Sequence, residues 1–163
     1  MRLASIVASM LTVLATLVVL SRVEISAMPD PGRTEAFLAA KVKRLLIRRS
    51  SRGIKPPIAA NRQLSAVEAK QLFGVDCAVC HGEQGTTPTD FGRSMYPRAP
   101  SLSAPEVQQY SDAELFWIVK NGIHLSGMPA FGKVERDADI WDVVHYVRSL
   151  SSTRAGAAAA DGR

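Results

Sequence analysis

Cys77-Ala78-Val79-Cys80-His81 is the stretch on which the reading of this chain turns. On one helical turn, positions i, i+3 and i+4 project from the same face, so both thiols and the imidazole point one way. Two thiols at that spacing can add across the two vinyl groups of a haem while the adjacent imidazole reaches its iron. Two other chemistries share part of the pattern. A thioredoxin-like redox pair has the same Cys-x-x-Cys spacing but belongs with a βαβ context, and no stretch of this sequence reads as a strand. A zinc site needs further ligands, and only His124 and His145 remain among the strong ones. The chain has two cysteines in all, too few and too close together to staple a fold. Cysteine is being used here for local chemistry.

Working outward, Ser65 with Glu68 three residues later is a capping-box start. Val67, Ala69, Leu72 and Phe73 then give an apolar side, and Gly74 suits a helix stop. From Gly82 to Tyr110 the chain is studded with Gly85, Pro88, Gly92, Pro97, Pro100 and Pro105, a long loop of the kind that lines something. Ser111 with Glu114 makes a second capping box, ahead of Leu115, Phe116, Ile118 and Val119 and a stop at Gly122. A second loop over 122–136 contains Gly127, Met128, Pro129 and Gly132. The last helix starts near Asp137 or Asp139, and Ile140, Val143, Val144, Val147 and Leu150 follow the i, i+3, i+4, i+7 pattern of a core stripe. The expectation is an all-α domain over 64–150, with a disordered tail over 151–163. Three short helices and two Gly/Pro-rich loops offer few apolar side chains for a core, and a large apolar cofactor at the centre solves that problem.

Haem iron has a sixth position to fill or leave open. Met128, between Gly127 and Pro129, offers a soft thioether on a shaped loop, and His/Met ligation raises the reduction potential. Met95 is the weaker candidate, His124 a competing ligand or haem-edge residue, and His145 a structural or solvated side chain beside the last helix's stripe. Arg93, Tyr96, Arg98 and Trp117 are candidate donors to the haem propionates, since a buried carboxylate needs such partners.

The Cys77-to-His81 motif, the later Gly127-Met128-Pro129 and a final helix carrying Trp141 and Tyr146 resemble class I cytochrome c, over about Ser65 to Leu150. The resemblance implies one haem c, covalent through Cys77 and Cys80, with His81 and Met128 as axial ligands. It also implies a crossing of the first and last helices, with Leu72 and Phe73 against Trp141, Val144 and Tyr146. In that family a loop proline carbonyl accepts a hydrogen bond from the ligand histidine; Pro100 and Leu102 match the pattern, and such a bond fixes the imidazole and raises its basicity. Haem attachment in the family takes place outside the cytoplasmic membrane. The implied function is electron transfer, with no catalytic base or nucleophile; the rival is a haem enzyme or gas sensor with an open or labile sixth site.

The first sixty residues lie outside that resemblance. Leu3 to Leu20 are apolar apart from hydroxyls, with Arg2 before and Arg22 after, just long enough for a spanning helix. Residues 1–27 are therefore expected to be a membrane anchor, or else a signal peptide cut near Ile25-Ser26-Ala27. Ser5, Ser9, Thr12 and Thr16 would share one face, where another membrane helix can approach. After Pro29-Asp30-Pro31-Gly32, a helix capped by Thr34 is expected to run to about Arg49, with Leu38, Val42, Leu45 and Leu46 on one face. It either lies on an anionic membrane surface or partner, or packs on the main domain. Residues 50–63 read as a Pro-containing linker.

The formal charge of +5 averages two unlike pieces. Residues 33–62 hold nine Lys/Arg against one acid, a net of +8, and residues 63–150 hold seven against eleven, a net of −4. No reader motif or stacking aromatic accompanies the basic stretch, so no nucleic-acid partner is expected. The partners expected are the membrane and redox proteins of a respiratory or photosynthetic complex. The chain would be a tethered shuttle or a fixed subunit, with its haem domain on the periplasmic side of a bacterial cytoplasmic membrane.

Overall fold

The computed structural model describes residues 2–21, 26, 28–56 and 66–161, with side chains described between 4 and 151 of these. The described residues form eight α-helices and one 3-10 turn, with no strand. Helix α1 spans Arg2–Leu20 and α2 spans Arg33–Ser50. The domain follows as α3 (Ala66–Asp76), α4 (Ala78–His81), α5 (Asp90–Arg93), α6 (Pro105–Gln108), α7 (Asp112–Asn121), a 3-10 turn at Phe131–Lys133 and α8 (Asp137–Asp161).

The core lies where α8 crosses α3 and α7. Phe73, Ile140 and Val144 are its most completely buried side chains. Phe73 meets Tyr146 with ring centroids 4.9 Å apart. Trp141 belongs to the same core cluster as Phe73, with Leu72 packed against it, and also stacks on Phe116 of α7 at 4.4 Å.

Polar contacts tie α8 to the middle of the chain. Arg148 Nε donates to Asp112 at 2.7 Å and its Nη1 donates to the Gln108 carbonyl at 2.8 Å. Gln108 Nε2 in turn donates to the carbonyls of Leu102 (2.7 Å) and Val147 (3.0 Å). The Arg148 bond satisfies the Gln108 carbonyl, which the short α6 leaves without a helical partner.

Helix boundaries follow local chemistry, with some departures from the sequence expectations. Ser111 and Glu114 form a reciprocal capping box on α7, and Gly122 ends that helix at φ +67°, where its lack of a Cβ lets the Met128 and Pro129 carbonyls approach. Gly74 does not stop α3, which continues to Asp76: a helical glycine costs only about 1 kcal/mol, and Phe73 is already anchored in the core. Ser65, the expected cap, lies outside the described residues. Thr34 is not the cap of α2; the helix begins at Arg33 with Gly32 in the cap position and no side-chain cap. The loop from Gly82 to Tyr110 contains two one-turn helices. The tail expected to be disordered continues α8 to Asp161; its alanines have the highest helix propensity of any residue.

Among the described residues no helix is long and apolar enough to cross a membrane, so the spanning helix expected within 1–27 is not found as such. In α1, Thr12 and Thr16 bond the carbonyls of Ala8 (2.9 Å) and Thr12 (2.8 Å), so these hydroxyls serve their own helix. Residues 57–63 of the expected linker lie outside the described residues. The preceding turn is packed: Ser51 is buried and Ile54 rests on the core.

Replacing Phe73 with alanine removes the largest fully buried ring and is expected to cost about 3–5 kcal/mol, measured by denaturant unfolding of the purified protein.

Candidate functional site

Cys77, Cys80 and His81 lie on and just before α4, a single turn held by bonds from the Cys80 and His81 amides to the Cys77 carbonyl at 3.2 and 2.9 Å. All three are half-buried, and both thiols are free. The backbone thus presents two thiols and an imidazole from one turn.

The first loop is fastened to this turn. Thr89 Oγ1 donates to the Val79 carbonyl at 2.6 Å, and the Thr89 amide donates to the Cys80 carbonyl at 3.1 Å. Thr89 also caps α5 by accepting from the Gly92 amide at 3.0 Å. Gly92 packs so closely that a Cβ there would lie 2.1 Å from the Cys80 carbonyl oxygen. Farther along, the Leu102 amide donates to Gly85 at 2.7 Å. These clasps bring Pro100 to His81, whose Nδ1–H donates to the Pro100 carbonyl at 2.9 Å.

A carbonyl only accepts, so this contact puts the imidazole proton on Nδ1 and leaves Nε2 with its lone pair. Burial pulls the His81 pKa below its ordinary value, opposed by the Pro100 hydrogen bond. The ring is therefore neutral at neutral pH, as a metal-ligating imidazole must be. Burial, followed by the charges of Asp76, Cys80 and Glu135, pushes the Cys77 thiol up to about 12, so before any reaction it is protonated. Glu135 is itself raised, by burial first and then by Asp76 and Asp139.

The second loop returns Met128 against the end of α7. The Ile123 amide donates to the Met128 carbonyl at 3.3 Å, and the Met128 amide donates to Ser126 Oγ at 3.2 Å. Met95, from the first loop, lies beside this segment: a Cβ on Gly127 would meet its sulfur at 2.5 Å. The two methionines thus approach through adjacent backbone, and the glycine before Met128 makes room for Met95.

Three of the four residues considered as propionate donors have other partners. Arg93 bonds Asp90 and the Pro88 carbonyl, Arg98 pairs with Asp30 at 2.8 Å, and the Tyr96 hydroxyl donates to Glu35. Trp117 is half-buried on α7. Leu102 packs against the core. His124 and His145 are both exposed. Among the described residues no group of three or more His, Cys, Asp or Glu is placed to hold a metal ion, which leaves the zinc reading without support.

The sequence reading missed Thr89, Gln108 and Arg148, which hold the loops in place. Thr89 carried a signal, an N-cap residue followed by Asp90. Gln108 and Arg148 carried none, because they meet on different helices, Arg148 reaching Asp112 and the Gln108 carbonyl and Gln108 reaching the Leu102 and Val147 carbonyls.

The donor set fits a covalently held haem: two free thiols on one turn, and a neutral imidazole fixed through Nδ1 with Nε2 available. An all-helical domain built around such a turn is a class I c-type cytochrome domain. The model of the family cytochrome c oxidase, cbb3-type, subunit III matches residues 65–147, and the chain belongs to that family. It binds a c-type haem covalently, through Cys77 and Cys80. Among curated proteins no sequence matches the chain.

Gly92→Ala is expected to destabilise the holoprotein by about 1–3 kcal/mol, because the backbone of the Cys80 turn must move. Gly74→Ala, where a Cβ meets nothing within 4 Å, is expected to be neutral or to stabilise by about 0.5–1 kcal/mol. Denaturant unfolding of the two variants side by side checks both signs.

Proposed function

We propose that the protein carries electrons one at a time through a single haem, which Cys77 and Cys80 would attach and whose iron His81 and Met128 would hold, and that it makes no chemical product. The observation that carries this reading is the His81 Nδ1 contact with the Pro100 carbonyl beside two free thiols. When bound, the haem supplies a one-electron ferric/ferrous couple. The chain's own residues do the rest. Cys77 and Cys80 fix the group on α4, and Pro100 holds the imidazole in one tautomer and one orientation. Met128 offers a soft thioether that favours the reduced state and raises the potential. The clasped loops keep these ligands in place in both redox states, so little rearrangement accompanies transfer. Trp117 serves a haem propionate, while Tyr96 and Arg98 hold the segment 30–35 against the first loop.

The carrier is tethered to a membrane by residues 1–21. Ile6, Val7, Met10, Leu11, Leu14, Leu17 and their neighbours on α1 are exposed all round the helix, and lipid is the solvent that suits such a surface. The family name refers to a cbb3-type oxidase, and a respiratory complex of that chemistry is the redox partner proposed. The haem domain sits on the outer, periplasmic face of a bacterial cytoplasmic membrane.

Met128→Ala tests the ligand assignment. The wild type is expected to show a low-spin spectrum in both redox states and to ignore carbon monoxide; the variant is expected to turn high-spin and bind the gas. A wild type that binds the gas readily sinks the carrier reading in favour of an open-site enzyme or sensor. Replacing residues 1–27 with a cleavable secretion signal is expected to shift the protein from the membrane fraction to the soluble one without changing its spectrum.

A further inference from the structure

Helix α2 sits on the haem domain the wrong way round for an amphipathic helix. Its contact side carries one buried large residue, Ile47, 2 % exposed. Arg44 adds bonds to the Gln109 side chain and carbonyl, both 3.2 Å, and lies over the Tyr110 ring at 5.2 Å. At the other end, Asp30 and Glu35 hold Arg98 and Tyr96. The apolar stripe points away. Phe37, Leu38, Val42, Leu45 and Leu46 are each 55–66 % exposed; by helical spacing Leu38, Val42 and Leu45 lie opposite Ile47, with Phe37 and Leu46 on the flanks.

An outward stripe of five large apolar residues is a binding surface until something covers it. Its surroundings indicate what does. Lys41, Arg48 and Arg49 are exposed along the same side, and Glu35 is the one acid of the helix. Lys41 lies over the Phe37 ring at 5.4 Å, its stem along the stripe and its charge at the edge. Residues 21–32 separate this helix from the apolar α1; fully extended they span at most about 40 Å, so a lipid-bound α1 keeps α2 within reach of the same surface.

We infer that α2 is an interfacial helix that lies on an anionic lipid surface, apolar stripe in the acyl boundary and cations on the headgroups. It clamps the haem domain in one orientation against the membrane. The inference rests on the tethered-carrier reading above and adds a second, orienting contact to it. Lipid accounts for both halves of the surface, since anionic headgroups match the cations while acyl chains match the stripe.

The test uses the full-length holoprotein, whose own cysteines are consumed in thioether bonds. Leu45→Cys carries a nitroxide, and Glu83→Cys, on the exposed turn after α4, serves as the water-facing control. Both are reconstituted with vesicles of phosphatidylcholine, with and without phosphatidylglycerol. The expected result is loss of collisions with a water-soluble nickel chelate at position 45, but not at 83, in the anionic vesicles. Arg48→Glu with Arg49→Glu restores the collisions at 45. Position 45 as open to the chelate as position 83 overturns the proposal. So does shielding that appears without lipid, which assigns the stripe to a protein, a second copy included. Flotation of the same samples separates the two readings: a chain that floats with position 45 open keeps the tether and loses the interfacial helix, and one that does not float loses both. An unchanged visible spectrum certifies that each variant is folded.

Discussion

The hydrogen bond from His81 Nδ1 to the Pro100 carbonyl joins residues nineteen positions apart, and much of the domain exists to make that meeting possible. Alone the bond contributes about 1 kcal/mol, far too little to order a loop of this length. The loop is therefore held at several other points: Thr89 on the Val79 and Cys80 carbonyls, Gly92 against Cys80, Leu102 on Gly85, and Gln108 on Leu102. The imidazole receives a fixed tautomer because these clasps leave Pro100 nowhere else to go. Preorganisation of this kind is what an electron carrier needs, since ligand movement between redox states slows transfer.

The same economy explains the arrangement of the helices. Helices of four residues cannot persist on backbone bonding alone, and α4, α5 and α6 are each of that length. They are stabilised by what surrounds them: α3 and α8 crossing through Phe73, Val144 and Tyr146, and α7 held to α8 by the Phe116–Trp141 stack and the Arg148–Asp112 pair. Covalent attachment at Cys77 and Cys80 makes a prosthetic group part of that framework, so binding and folding are coupled.

The features legible in the sequence are those written in local chemistry. The Cys77–His81 turn, the Ser111–Glu114 capping box, the stop at Gly122 and the α8 stripe each depend on residues a few positions apart. What escaped depends on tertiary context. Periodicity marked Leu38, Val42, Leu45 and Leu46 as one face, yet could not say that the domain would take the opposite face through Ile47. The stack of Trp141 on Phe116 carries no signal in the sequence, because the two rings lie on different helices. The pairings of Arg98 with Asp30 and of Tyr96 with Glu35 carry no signal in the sequence, because the partners are more than sixty residues away. Gly74 was read as a stop by a rule that tertiary anchoring of Phe73 overrides.

The central claim is that one haem cycles between two redox states without changing its ligands. The most direct measurement is a spectroelectrochemical titration of the purified holoprotein across the visible range. The account predicts a single one-electron step, with a low-spin six-coordinate spectrum at every potential. A high-spin spectrum at either end, or a titration that needs more than one step, contradicts it.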